Sequence, residues 1–326
     1  MKPGFGELVT ASGLDAVIEP LDEASVLGAL GELHGLSGRL ERIASEKDET
    51  FVLHAADARY LVKVSGEARE DLALQTAVLR HLERAAPELP VPVVKSGVDG
   101  VDLHEVASGR SLRVLSFLPG EPLAERAAAP EPFGRWHGQL TRALAGFRGG
   151  NRTLLWDLRY LSALDTANGL AQEVLAEFAS RVRPGELETQ LVHNDMSPHN
   201  ILVGASGELA GILDFGDVLS TAVVFDLAIA LSNLLDADAP DLWAAPLGWL
   251  RGYLQVRPIV EEELALLPLL AVARLVQRAL ISSWRARRDP ARAEYVRSHA
   301  SRDWVTARAG YAGLGAAAER VLEVRR

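Results

Sequence analysis

No cysteine occurs in the 326-residue chain, which excludes a disulfide framework and thiolate metal sites. Long apolar runs are also missing. No stretch is long enough to span a bilayer, and the opening MKPGFGELVT is not a signal peptide. A cytoplasmic protein without membrane contact is the expectation. Basic charge is not in excess either: the net charge of −10 argues against a nucleic-acid partner. The phosphate-loop pattern GxxxxGK(S/T) is absent, and so is any internal repeat.

What is present describes an ordinary soluble globular protein, with 48% hydrophobic and 24% charged residues. The length suffices for two lobes with substantial cores. Charge is uneven. From Arg274 to the end there are twelve arginines and five acids, about +7, which leaves about −17 for the remainder.

The first 38 residues are weakly patterned, with a helix expected over Asp22–His34 before Gly35-Leu36-Ser37-Gly38. Strand-like runs follow at Arg39–Ala44, Thr50–His54 and Arg59–Val64. The polar turn Ser45-Glu46-Lys47-Asp48-Glu49 joins the first two. It has no glycine, so any cover over phosphates must come from backbone N–H groups and Ser45 or Thr50. Lys63 lies on the third strand. The helix expected over Arg69–Ala85 places Leu72, Leu79 and Leu82 on its inward face together with Gln75, which needs a partner; Lys63 is a candidate. Two more strands read at Val101–Val106 and Leu112–Phe117. Leu118-Pro119-Gly120-Glu121-Pro122 then marks a boundary, dividing a β-rich lobe (1–117) from a mostly helical one (118–326). Helical periodicity resumes at Phe133–Phe147, Leu158–Asp165, Leu170–Val182, Val223–Leu235, Asp241–Leu254, Val260–Ser282 and Ala293–Ala309. From Gly310 onward a loosely packed terminal helix is expected.

The chemistry concentrates in Leu191–Leu235. Asp195 stands two residues after His193, and Asn200 opens the apolar run Ile201-Leu202-Val203. A second run, Leu209–Leu213, ends on Asp214-Phe215-Gly216-Asp217. The Gly-bearing segment between the runs reads as a hairpin turn. Asn200 and Asp214 therefore meet at its open end, with Asp195 in the preceding loop. Two oxygen ligands suited to Mg²⁺ and one carboxylate able to orient a hydroxyl are the parts phosphoryl transfer needs. Two other readings fit the same residues. His193, Asp195 and His199 read as ligands of a transition metal for hydrolysis, and the neutral Gln75 fits a nucleotide-binding module without catalysis.

A strand lysine, a helix, a boundary turn, His193-x-Asp195-x₄-Asn200 and a terminal Asp-Phe-Gly, in that order, resemble the protein-kinase-like fold. With Asp226-Leu227-Ala228 on the next helix, the pattern resembles the aminoglycoside phosphotransferase and choline kinase superfamily. It is nearest the hydroxylysine kinase branch and the phosphotransferase domains fused to class III aminotransferases. Leu74–Leu82, Phe117–Gly120, Leu155–Leu158, Leu213–Asp217 and Ile281–Ala286 carry the likeness, over roughly residues 36–310. The resemblance implies a two-lobed α+β fold and a kinase using ATP or GTP with Mg²⁺. It implies Asp195 as the catalytic carboxylate, Asn200 and Asp214 as metal ligands, and Lys63 on phosphates. Ser116 to Leu118 become the hinge whose backbone receives the purine, and His193 and Asp226 brace the catalytic loop. Gln75 departs from the pattern: it stands where the superfamily usually has the Glu that pairs with the strand lysine, with Glu70 one turn earlier as a substitute partner. The branch implies a hydroxylated amino acid such as 5-hydroxylysine as acceptor, with Arg274, Arg278 and Arg285 as candidates for its carboxylate. An aminoglycoside acceptor would instead use Asp236, Asp238, Asp241 and Glu261–Glu263; a homoserine-type kinase is a further variant. A monomer or homodimer is expected.

Overall fold

The computed structural model describes residues 3–14, 21–43, 45, 48–106, 109–164, 166–288 and 293–325, with the side chains of 293–300 excepted. Ala44, Glu46 and Lys47 of the first turn, and Asp165, lie outside the described residues. Helices α1 (Phe5–Ala11) and α2 (Glu23–His34) come first, the second capped by Asp22, whose side chain accepts from Ser25 N. Strands β1 (Arg39–Ile43), β2 (Glu49–His54) and β3 (Arg59–Ser65) are followed by α3 (Arg69–Ala85). Then come β4 (Val94–Lys95), β5 (His104–Val106) and β6 (Arg110–Ser116). These strands form one antiparallel sheet in the order β1-β2-β3-β6-β4, with β5 also on β6. Lys63 pairs with Thr50 on one side and with Arg113 on the other.

After the boundary come β7 (Glu121–Pro122), α4 (Pro130–Leu144) and α5 (Gly169–Arg181). Strand β8 (Thr189–Val192) leads to the hairpin β9 (Ile201–Val203) and β10 (Leu209–Ile212), then to β11 (Leu219–Ala222). Helices α6 (Val223–Ser232), α7 (Ala244–Leu254), α8 (Glu261–Leu264), α9 (Leu267–Arg288), α10 (Ala293–Ala312) and α11 (Leu314–Val324) complete the second lobe. The chain is thus a two-lobed α+β fold of protein-kinase type, a β-rich lobe with one main helix against a helical lobe.

Three sequence expectations change. The segment from Leu158 is a 3₁₀ stretch, Leu158–Ala163, rather than an α-helix. The single helix expected over Val260–Ser282 is broken between α8 and α9, just before Pro268, which fits only the first turn of the new helix. The terminal helix is not loose: Val321 is fully buried and Ala317 nearly so. The N-terminal segment also gains a structural role. Leu8 of α1 is buried in the larger core, and Leu155 N donates to Ser12 Oγ at 2.7 Å.

The smaller core sits between the sheet and α2, with Val26, Leu30, Phe51, Leu53, Val62 and Val114. At its edge His34 is buried and lies edge-on to His104 at 5.0 Å. Burial, reinforced by the neighbouring imidazole, holds the His34 pKa below its ordinary value. The folded state then binds fewer protons than the unfolded one near the ordinary imidazole pKa of about 6.5. Stability is therefore complete above that pH and is lost as pH falls below it, with a slope of at most about 1.4 kcal/mol per pH unit from this group. Urea unfolding between pH 5 and 7 should show a shallower acid loss in His34→Phe than in the parent chain.

Candidate active site

The loop between β8 and β9 and the end of β10 form the site. Leu213 N donates to Asn200 O at 2.7 Å, one rung beyond the Ile212–Ile201 pair. That rung carries Asn200 and Asp214 to the same open end of the hairpin, as the spacing predicts. Asn200 Nδ2 donates to Asp195 Oδ2 at 2.7 Å and to Asp195 O at 3.0 Å. With the amide nitrogen committed to two acceptors, Asn200 Oδ1 is the atom left to accept or ligate.

Two buried groups set the loop. His193 is fully buried; its Nε2 donates to Leu213 O at 2.9 Å and its Nδ1 accepts from Asp195 N at 3.2 Å. Burial holds its pKa below the ordinary value, consistent with a ring that donates from one nitrogen and accepts at the other. Its edge meets Phe215 at 4.8 Å. Asp226, at the first turn of α6, accepts from Asn194 N at 2.6 Å with one oxygen and from His137 Nε2 at 2.7 Å with the other. His137 in turn accepts from Trp249 Nε1 at 3.2 Å. Asn194 has φ 64° and Asp214 φ 56°, the two non-glycine residues with positive φ among those described. Strain of this kind persists only where surroundings over-determine it.

Both nitrogens of His193 are engaged and His199 is exposed, so the transition-metal reading loses its histidine ligands. Among the described residues no three His, Cys, Asp or Glu side chains cluster to hold a metal by themselves. The Asn–Asp oxygen pair is a different kind of site. Asp214 is exposed, and its Oδ1 accepts from Gly216 N at 3.1 Å. Burial, then the charges of Asp217 and Asp214, push the Asp195 pKa up to about 7, against a lowering from Arg274. Three carboxylates, Asp195, Asp214 and Asp217, lie together here, with Arg274 and Arg113 the cations that act on them. A hard divalent cation with oxygen ligands fits that donor set and that excess negative charge.

On the sheet side, Lys63 Nζ is ion-paired with Asp48 Oδ2 at 3.0 Å, so its partner is neither Gln75 nor Glu70. Asp48 belongs to the polar turn. Burial works to raise its pKa, and the charge of Lys63 and its other partners overcome that and hold it low. Ser45 is exposed, and Thr50 is buried with its hydroxyl unpartnered. Gln75 is fully buried: Oε1 accepts from Arg113 Nη2 at 2.5 Å, and Nε2 donates to Glu67 Oε2 at 2.9 Å and to Gly216 O at 3.4 Å. At the hinge, Ser116 N donates to Val93 O and Phe117 N to Arg59 O. Of the three predicted amides, only that of Leu118 is left without a partner among the described residues.

On α9, Arg274 is buried, with Nη1 donating at 2.7 Å to both Trp156 O and Gln277 Oε1. Arg278 is bound to Asp303 through Nε at 3.0 Å and through Nη2, and to Asn233 through Nη1. Arg285 is half-buried and engaged as well. The acids proposed for an aminoglycoside are largely paired: Asp241 with Arg320 at 2.6 Å, Asp236 with Arg302 at 3.2 Å, Glu261 with Arg325 at 3.5 Å. Glu263 accepts from Glu188 N. Sequence reasoning missed Asp48, Arg113, His137 and Asp157. Asp157 is fully buried, accepts from Arg159 and Thr221, and has a pKa raised by burial. A signal existed only for Asp157, inside Leu155–Leu158.

Residues 39–267 match the model of the phosphotransferase enzyme family (APH). The homoserine kinase of Chelativorans sp. (strain BNC1) is 30% identical over 246 residues, covering 69% of this chain and 73% of that protein. The hydroxylysine kinase of Mus musculus is 26% identical over 311 residues, covering 82% of each. A microcompartment-associated aminopropanol kinase superposes with a TM-score of 0.73 at 17% identity, covering 92% of this chain and 100% of the other. The amicoumacin kinase hAmiN gives a TM-score of 0.69 at 17% identity, covering 86% and 93%. The chain belongs to the phosphotransferase enzyme family, as a Mg²⁺- and ATP-dependent small-molecule kinase.

Proposed function

We propose that this kinase phosphorylates the side-chain hydroxyl of a small hydroxylated amino acid, of the homoserine or 5-hydroxylysine type, in the cytoplasm. The observation that carries the reading is Arg274. It is buried, yet no carboxylate lies within ion-pair distance of it among the described residues. Nη1 is occupied, while Nε is buried without a hydrogen-bond partner. The Nε–Nη2 edge is the fork that fits a carboxylate bidentately. Burial lowers its pKa to about 10, so the group stays cationic at neutral pH. Its charge also acts on Asp195, which fits an acceptor whose carboxylate and hydroxyl lie at either end of one small molecule. The curated relatives named homoserine kinase and hydroxylysine kinase support the same class. An aminoglycoside is less well supported, because the acids it would need are mostly taken by arginines of α10 and α11.

In this reading Asp195 orients the acceptor hydroxyl. It would receive the proton as the acceptor oxygen bonds to the terminal phosphorus and the bridging oxygen leaves with ADP. Asn200 Oδ1 and Asp214 would hold Mg²⁺, which when bound neutralises charge on the donor phosphates. Lys63 would contact those phosphates, and the Leu118 N–H and the Ser116 backbone would face the base. Residues 1–117 would then serve the nucleotide and 118–326 the acceptor. We read the oligomer as a monomer or homodimer, with no nucleic-acid partner.

Two outcomes follow. Asp195→Asn should lower transfer by about 10²–10⁴-fold with nucleotide affinity kept, whereas Asp214→Ala should lose Mg²⁺-dependent nucleotide binding; calorimetry separates them, and equal loss of affinity in both would contradict this division. In Arg274→Lys, KM for the amino-acid acceptor should rise about 10–100-fold relative to the matching amino alcohol. A ratio unchanged from the parent enzyme, measured on homoserine, 5-hydroxylysine and their amino alcohols, would remove Arg274 from the acceptor site.

A further inference from the structure

The buried amide of Gln75 stands on α3 between groups of opposite hydrogen-bonding character. Arg113, 4% exposed on β6, has only donors, so it must face the amide oxygen. Glu67 and the Gly216 carbonyl present acceptors and must face the amide nitrogen. The orientation of the amide follows from its neighbours and admits no flip. A glutamate here would keep the bond from Arg113. It would lose both donations and set a second carboxylate against Glu67.

The charges lead to the same residue. Lys63 and Arg113 are cross-strand neighbours, and the anions about them are Asp48, Glu67 and Asp214. Two cations thus already face three anions around a neutral Gln75. A glutamate here would add a fourth beside the Asp214 loop. Asp48 already supplies the acid that pairs with the lysine, so the helix position is free to do something else. What it does is reach the metal-ligand loop: Gly216 is two residues beyond Asp214. Its carbonyl receives a second bond, from Arg152 Nη1 at 2.8 Å, and Arg152 is ion-paired with Asp71 of α3 at 3.1 Å. α3 thus grips one carbonyl from two of its residues.

We propose that Gln75, set by Arg113 and Glu67, is a positioning residue that holds the Asp214–Gly216 loop in place, and is not an impaired form of an ion-pairing glutamate. The inference rests on the kinase reading of the cleft but not on the choice of acceptor. Its counterintuitive consequence is that restoring the superfamily's glutamate should damage the enzyme.

The test compares Gln75→Glu, Glu67→Gln and the double variant. Two readouts need no acceptor: hydrolysis of the nucleotide to free phosphate, and the shift in Tm that Mg²⁺ plus a non-hydrolysable ATP analogue produces. Gln75→Glu should lower kcat by roughly tenfold, the loss of about one charge-assisted hydrogen bond. It should also raise the Mg²⁺ concentration for half-maximal Tm shift several-fold. Glu67→Gln alone should change both by less than about threefold, because the amide oxygen it introduces still accepts from Gln75. The double variant should relieve the repulsion between positions 67 and 75 but recover little of the loss in kcat and Mg²⁺ dependence, since a carboxylate at position 75 still cannot donate to Gly216 O; full recovery would overturn the proposal. A rise or no change in kcat and Mg²⁺ dependence in Gln75→Glu would overturn the proposal, as would a lowered Tm of the ligand-free protein with both readouts intact. Failure to phosphorylate any amino acid would bear on the acceptor alone, because the analogue-binding arm would still read.

Discussion

The site depends on one buried carboxylate. Asp226 is 2% exposed and divides its oxygens between the Asn194 N–H and His137. A buried anion is tolerated only when its lone pairs are met, and leaving it unpaired costs several kcal/mol. Here both oxygens are bonded. Burial works to raise its pKa, and its contacts with His137 and the Asn194 N–H overcome that and keep it low. The return is geometric. Holding Asn194 N fixes a residue at φ 64°, and that turn directs Asp195 into the cleft while His193 turns inward to Leu213. The loop from His193 to Asn200 is therefore bound to α6 on one side and to the end of β10 on the other. Loop and hairpin cannot move apart without breaking bonds to buried groups.

From this constraint the two lobes divide the work. The helical lobe fixes Asp195, Asn200 and Asp214 through a hairpin rung and a buried His–Asp pair, which are rigid elements. α3 of the sheet lobe reaches the same loop by Gln75 and by Asp71 through Arg152. Such a long-range tether of a few hydrogen bonds is weak beside a packed core, so the Asp214 loop is the part most sensitive to how α3 sits. Leu118–Pro122 follows the end of β6, and β7 within it joins the hairpin through β9.

Much of this was legible in the sequence because it depends on local spacing. A hairpin with a Gly-bearing turn fixes which ends meet, and so Asn200 and Asp214 could be placed together from their positions alone. The inward face of α3 followed from Leu72, Leu79 and Leu82. Partners across the chain were not legible. Nothing at Asp48 signals that a turn residue will fold over the strand to meet Lys63, and Arg113 reads as a polar residue on an alternating strand. His137 lies 89 residues from Asp226 and sits in an amphipathic helix where a lone histidine has no distinguishing neighbours. Helix breaks failed for a related reason: apolar periodicity continues through Leu264–Leu267 although the helix is interrupted there.

The charge asymmetry of the sequence resolves into two different uses of arginine. Arg302, Arg320 and Arg325 pair with exposed acids on or near α7 and α8, where screened pairs contribute little to stability and mainly hold the terminal helices in register. Arg274 is of another kind. It is buried without an ion-paired carboxylate among the described residues; two acceptors share Nη1, the guanidinium lies over the Trp156 ring at 5.1 Å, and Nε is left without a hydrogen bond. The ion-paired arginines of the tail thus join helices, while Arg274 stands within electrostatic reach of Asp195.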